Sequence, residues 1–177
     1  MKYTGLVLLA AVFLSFSGCR HKNHKNKIHI YGWNILTDHM ETALKTIEAS
    51  KNYRVNQLQL SHEICHDLKD IKQQWNRNIV NSLTHIAHEA GIPEVLVWDH
   101  ALYNLEYYPD RFKLNGLINL DDPGFWGWFK DDYRKMLDKI PEVNGIVLTF
   151  IETGARVENQ FSEIHKTPQE KLAALVD

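Results

Sequence analysis

The sequence predicts an α/β fold in which strand–helix units follow one another, enough for about half of a TIM barrel. Two observations carry this prediction. Short apolar runs alternate four times with segments of helical apolar spacing, and strict alternation requires a parallel sheet with right-handed crossovers. The last apolar run, residues 145–151, ends in Glu152 and a glycine. That ending is typical of a buried parallel strand that brings one carboxylate to the rim of the sheet.

The length of the chain limits how much of a barrel it can hold. A complete (β/α)8 barrel needs roughly 250 residues, whereas this chain has 177. We therefore expect the N-terminal portion of a longer protein. A complete four-stranded, flavodoxin-like sheet is the alternative architecture.

The first unit begins with a strand at residues 27–33, whose core-facing candidates are Ile28, Ile30 and Tyr31. Asp38 then caps a helix, with Glu41 three positions later in a capping-box arrangement.

The second unit has a strand at residues 55–61, in which leucines alternate with glutamines. Its helix carries one apolar face, and Gly91 and Pro93 end it. The residues predicted on that face are Ile71, Trp75, Ile79, Leu83, Ile86 and Ala90.

The third unit has a short strand at residues 94–98, and a long connection follows it. Pro123 opens the third helix, which runs to Ile140. The fourth strand is the run at residues 145–151 described above. A second capping box, from Thr167 to Glu170, then begins a fourth helix.

The N-terminus is typical of a targeting segment. Residues 5–16 are almost entirely apolar, too few to span a membrane comfortably and the right number for a signal peptide. Residues 14–19 resemble a bacterial lipobox that ends in Cys19, the predicted site of lipidation. A plain secretory signal is the alternative. If Cys19 carries lipid, Cys65 is left without a disulfide partner.

Residues 1–19 are thus predicted to be a lipoprotein-type signal peptide, and residues 20–27 a basic, disordered tether. Residues 28–177 hold the (β/α)4 portion of the barrel. A solvated tether explains its histidines better than a metal site, because no cysteine or carboxylate completes one. We expect a lipid-anchored protein of the bacterial cell envelope that faces the periplasm or the cell surface. The formal net charge of −2 argues against nucleic acid as a partner.

In a parallel barrel, the residues that follow the strands converge on one rim, where ligands bind. The candidate contacts just after the first three strands are Trp33, Asn34, His62, Asp99 and His100. The connection after the third strand adds Tyr107, whose ring suits the C–H faces of a sugar, and Arg111, which suits a carboxylate or phosphate. For Tyr107, packing in an ordered surface loop is the alternative.

A single carboxylate at a barrel rim suits glycoside hydrolysis, in which an acid protonates the leaving oxygen and a second carboxylate assists. Glu152 is our candidate for the acid. Asp99 is a possible second carboxylate, unless a later strand supplies it. Neither a metal ion nor an organic cofactor is implied. The alternative function is that of a non-catalytic carbohydrate-binding lipoprotein.

A family resemblance supports the assignment of the acid. The elements that carry it are, in chain order, Asp122-Pro123, Phe125-Trp126-Gly127-Trp128, Ile140-Pro141, Gly145-Ile146-Val147 and Glu152-Thr153-Gly154. Together they resemble the α-glucuronidase family, within the large clan of barrel glycoside hydrolases whose acid follows strand four. The resemblance implies that Glu152 is the general acid. The family has a lysine where this chain has Leu148, so we leave the sugar unassigned.

Overall fold

A computed structural model describes residues 29–149 and 156–176. The predicted α/β class is confirmed, because the described residues form a four-stranded parallel sheet and four α-helices. The strands are β1 (Gly32–Ile35), β2 (Gln57–Leu60), β3 (Glu94–His100), β4 (Lys113–Leu114), β5 (Leu117–Ile118) and β6 (Gly145–Thr149). The helices are α1 (Met40–Ser50), α2 (Gln74–Glu89), α3 (Pro123–Leu137) and α4 (Pro168–Val176).

The sheet order is β1-β2-β3-β6, and every pairing is parallel. Strands β4 and β5 form a separate antiparallel hairpin in the long connection between β3 and α3. In the flavodoxin-like alternative the first strand lies between the second and the third. Here β1 lies at the edge of the described sheet, so the strand order follows the chain without a reversal.

The helices cover one face of the sheet. That face carries Leu58 and Leu60 of β2 together with Val95 and Val97 of β3, all fully buried. These leucines and valines form the main hydrophobic cluster with residues of α1, α2 and the end of α3. Among the described residues, the side chains that the four-stranded sheet contributes to the hydrophobic clusters all lie on this face.

A second hydrophobic cluster lies beside the first. It joins Tyr108 and Phe112 of the long connection to Phe125 and Phe129 of α3 and Leu175 of α4. The connection is therefore packed against helices along much of its length.

The first strand lies further along the chain than predicted. Ladder pairing begins at Gly32, opposite Gln57, and Ile35 is the buried residue of β1. Ile30 and Tyr31, expected in the core, are 59% and 49% exposed because they precede the paired segment. The predicted Ile28 lies outside the described residues.

Two helix starts also differ from the prediction. Helix α1 begins at Met40 with His39 as its N-cap and no capping side chain, and Glu41 binds Lys45 at 2.7 Å instead of forming a capping box. Helix α2 begins only at Gln74, after a short 3-10 turn. Trp75, predicted on the buried face, lies in the first turn of α2 and is 74% exposed.

The other two helix starts are confirmed. Asp122 accepts a hydrogen bond from the Gly124 N–H at 2.8 Å, which caps α3. Thr167 and Glu170 form the predicted capping box of α4. The Glu170 N–H donates to Thr167 Oγ1 at 3.2 Å. In return, the Thr167 N–H donates to Glu170 Oε2 at 2.9 Å. Within the described ranges, no helix is long and apolar enough to cross a bilayer.

Candidate functional site

The carboxyl ends of β2, β3 and β6 meet at one edge of the sheet. His100, the last residue of β3, pairs with Thr149, the last residue of β6, and the Thr149 hydroxyl donates to the carbonyl oxygen of Asp99 at 3.3 Å. His62 is the second residue after β2 and reaches the same edge. Its ring lies 6.2 Å from that of His100 and 5.5 Å from that of Trp98, measured between ring centroids.

Further side chains join this group. The rings of His66 and His100 stack with centroids 4.5 Å apart and an interplanar angle of 27°. Tyr103 lies 5.5 Å from His66 and 5.8 Å from His100, also between ring centroids. We refer to the following residues as the edge cluster: His62, His66, Asp67, Trp98, His100 and Tyr103.

A tight loop after β2 brings His66 and Asp67 into place. The Ser61 hydroxyl donates to the Ile35 carbonyl at 2.6 Å, which fixes the start of the loop on β1. The Cys65 N–H then donates to the Ser61 carbonyl at 3.0 Å and turns the chain back. Because of this turn, His66 and Asp67 face the end of β3.

Asp67 is the electrostatic centre of the edge cluster. Its Oδ1 lies 3.1 Å from Nδ1 of both His66 and His100, and the Lys69 ammonium donates to its Oδ2. Burial opposes ionisation of this carboxyl, but the hydrogen bond and charge of Lys69, with a smaller contribution from His66, outweigh burial and lower the pKa of Asp67. Asp67 is therefore a carboxylate at neutral pH.

Asp99 lies on the helix-covered face rather than in the edge cluster, because successive strand residues point to opposite faces. Its side chain is buried, with Oδ1 accepting from the Leu68 N–H at 2.8 Å and Oδ2 accepting from the Tyr133 hydroxyl. Burial raises the pKa of Asp99, although both hydrogen bonds oppose the rise. Both oxygens are thus engaged inside the protein, where they attach β3 to α3.

Trp33 and Asn34 lie within β1 and not after it, because the strand continues to Ile35. The same alternation places Trp33 on the helix-covered face, where its ring contacts Tyr53 at 5.3 Å between centroids. Asn34 lies on the opposite face and is exposed. The structure therefore does not bring Trp33 to the edge cluster.

Tyr107 borders a small cavity of about 20 Å³ that Asp67 and His100 also line. That volume has room for about one water molecule. The Tyr107 hydroxyl donates to Asp132 and accepts from Lys72. Burial, followed by the hydrogen bond to Asp132, raises the pKa of Tyr107, so it is a neutral donor at all physiological pH values.

Arg111 lies further along the connection, with its guanidinium 4.6 Å from the centroid of the Phe112 ring. It is exposed. Two predicted functional residues, the acid Glu152 and the lipidated Cys19, lie outside the described residues, and β6 ends at Thr149 beside the edge cluster.

No protein-family model, curated protein or solved structure matches this chain.

His66, Asp67 and Lys69 are not among the residues that the sequence predicts at the site. A signal was present, because His62 and His66 are four residues apart with Glu63 after the first, the spacing H-E-x-x-H of zinc metalloproteases. That motif requires a helix that aims both histidines at one ion. Residues 62–66 form a turn instead, and the H-E-x-x-H geometry is therefore not met.

Chemically, the edge cluster offers imidazole and carboxylate groups next to the aromatic faces of Trp98 and Tyr103. The Trp98 indole N–H is engaged, donating to Gln59 Oε1 at 3.2 Å, which holds the ring in place. Tyr103 is 43% exposed. Aromatic faces beside polar groups suit ligands that have both C–H faces and hydroxyl groups.

Proposed function

We propose that this chain forms consecutive strand–helix units of a (β/α)8-type glycoside hydrolase that binds carbohydrate at the carboxyl edge of its parallel sheet. The observation that carries the proposal is the edge cluster, where histidines and aromatic rings from β3 and the loop after β2 converge. β6 ends beside it, at Thr149. Glu152, three residues further along the chain, is the proposed general acid.

The one-sided coverage of the sheet supports a partial barrel. In a barrel, helices lie only on the outer face and strand side chains fill the inner face, whereas in a doubly wound sheet helices cover both faces. Here Gln57, Gln59, Leu96 and Trp98 share the face opposite the helices, and each is half-buried. Strand order in chain sequence, β1-β2-β3-β6, also agrees with consecutive barrel strands.

In this proposal the chain is also a lipoprotein anchored through Cys19, with the edge cluster facing the periplasm or the cell surface. Carbohydrate would be its ligand. Asp99 is not proposed as the second carboxylate, since both its oxygens bind Leu68 and Tyr133 inside the protein.

Replacement of Glu152 by glutamine tests the proposal. Removal of a general acid typically lowers the turnover rate by about 10²- to 10⁴-fold, so we expect Glu152→Gln to lose aryl-glycoside hydrolysis by that factor. Affinity for an oligosaccharide, measured by calorimetry, should change little. The matched control is Glu142→Gln, an exposed glutamate near the opposite end of β6, which should keep full turnover.

A second pair of variants tests the site without relying on turnover. Trp98→Ala should weaken oligosaccharide binding, whereas Trp75→Ala, which removes an exposed tryptophan on α2, should not. Binding that depends on Trp98 without any hydrolysis would favour the non-catalytic carbohydrate-binding lipoprotein. If no oligosaccharide in a broad panel binds, or Trp98→Ala binds as well as the wild type, the carbohydrate site is wrong.

A further inference from the structure

Three ligand-type atoms converge within the edge cluster. One ligand atom from each of His66, Asp67 and His100 lies within 4.8 Å of the other two, and Asp67 Oδ1 is 3.1 Å from Nδ1 of each histidine. They come from two separate parts of the chain, the loop after β2 and the end of β3. The fold therefore brings together a donor set that neither segment could form alone.

Two imidazoles and one carboxylate form the donor set of catalytic zinc sites and of related first-row divalent ions. We propose that His66, Asp67 and His100 bind one divalent transition-metal ion of the zinc type. Three protein ligands leave at least one coordination position open to solvent or substrate. This proposal does not depend on the proposed glycoside hydrolysis, which needs only carboxyl groups.

The distances agree with such an ion. Zinc lies about 2.0–2.2 Å from nitrogen and oxygen ligands, and tetrahedral ligands at that distance are about 3.3 Å apart. The observed separations of 3.1 Å between Asp67 Oδ1 and the two nitrogens differ from this by a few tenths of an ångström.

Burial favours binding and still leaves a path for entry. The side chains of His100 and Asp67 are 4% and 6% exposed, whereas that of His66 is 47% exposed. A cation in this position would be held by two fixed ligands on the protein side and closed in by His66 from the solvent side. His100 Nδ1 also contacts the His66 carbonyl oxygen at 2.7 Å, a contact that metal ligation would replace.

Lys69 has two opposing effects on the proposed site. Its ammonium donates to Oδ2 of Asp67, which orients the carboxylate and leaves Oδ1 facing the histidines, as outer-sphere groups commonly do. Its positive charge also repels a bound cation.

The experiment is a titration of the full, metal-free chain with Zn²⁺ by calorimetry, and with Co²⁺ by visible absorption. We expect one ion per chain and the visible bands of Co²⁺ bound by nitrogen. His66→Ala and Asp67→Ala should each weaken Zn²⁺ binding by about 100-fold or more, since removing even an outer-sphere partner of a metal ligand costs 10- to 100-fold. His66 is half-exposed, so its replacement should leave the circular dichroism spectrum unchanged.

Two controls separate this site from other histidines. His85→Ala removes a 59% exposed histidine on α2 and should bind Zn²⁺ as the wild type does. The double variant His21→Ala/His24→Ala removes histidines of the predicted tether and should also bind normally. The proposal is overturned if the full chain binds no ion, if His66→Ala binds as tightly as the wild type, or if the tether variant loses the site.

Discussion

Replacement of Tyr133 by phenylalanine tests how the carboxyl end of β3 is attached to α3. The Tyr133 hydroxyl donates to Oδ2 of Asp99, a carboxyl that is only 5% exposed and keeps one other donor, the Leu68 N–H at 2.8 Å. Removing the donor of a buried acceptor costs about 1–3 kcal/mol. Because the ring itself is retained, we expect Tyr133→Phe to lower the free energy of unfolding at pH 7 by about 2 kcal/mol.

The loss should depend on pH in a defined direction. Burial raises the pKa of Asp99 in the folded chain above its value in the unfolded chain. Above the folded-state pKa, the ionised carboxylate lowers the free energy of unfolding. Below the unfolded-state pKa the carboxyl is protonated in both states, and this loss of stability is absent. The Tyr133 hydroxyl partly offsets this penalty. Its removal should therefore cost at least as much at pH 7 as at pH 4, because the hydroxyl binds the ionised carboxylate more strongly than the protonated acid.

Urea unfolding followed by circular dichroism at both pH values measures these differences. Tyr53→Phe is the matched control, because Tyr53 is 63% exposed, and we expect a change within about 0.5 kcal/mol. A Tyr133→Phe loss no larger than that of the control at pH 7 would refute the reasoning. So would a larger loss at pH 4 than at pH 7.

Two further predictions concern a glycine pair and a thiol. Gly91 has φ +89° and no atom near the position that a Cβ would take, so Gly91→Ala should destabilise the chain by about 1 kcal/mol through backbone strain alone. Gly127 lies inside α3 and is equally uncrowded, so Gly127→Ala should stabilise the chain by up to about 1 kcal/mol. Thermal unfolding midpoints of the two variants that move in the same direction would contradict this. Burial, followed by the charges of Asp70 and Asp99, raises the pKa of Cys65 to about 12. Peptide mapping should therefore find this thiol unmodified by iodoacetamide at pH 8.5 in the native chain and modified after denaturation. Rapid labelling of the native chain would contradict this prediction, because it would show that the thiol is accessible.

The parts of the fold that sequence predicts well depend on local signals. Alternation of Leu58 and Leu60 with glutamines identifies β2, since strand side chains alternate between faces. The Asp122-Pro123 pair and the capping box at Thr167 mark two helix starts through contacts within three residues. Each of these signals depends on residues close together in the chain, and each is confirmed.

The error in the first strand comes from long-range pairing. The extent of β1 is set by its register with β2, and the pairing of Gly32 with Gln57 carries the strand on to Ile35. A shift of one residue moves a side chain to the opposite face of the sheet. For this reason the prediction of Trp33 at the rim is wrong, and the side chain lies on the helix-covered face.

The edge cluster shows the same limit more clearly. His66 and His100 are 34 residues apart, and nothing local in either segment shows that their rings stack. The sequence predicts Asp99 beside His100 as a ligand contact, yet the two side chains point to opposite faces because they are neighbours in one strand. Which of the two joins the edge cluster depends on which face of β3 the helices cover.

The second hydrophobic cluster determines where this chain tolerates change. Surface connections usually accept insertions, but the one between β3 and α3 buries Phe112 and Ile118 against the helices. Its hairpin turns at Asn115 and Gly116, which have φ values of +53° and +82° and are exposed. An engineered tag, a fluorescent label or an evolutionary insertion is therefore best accommodated at this two-residue tip, while the flanking residues must keep their length and their apolar side chains.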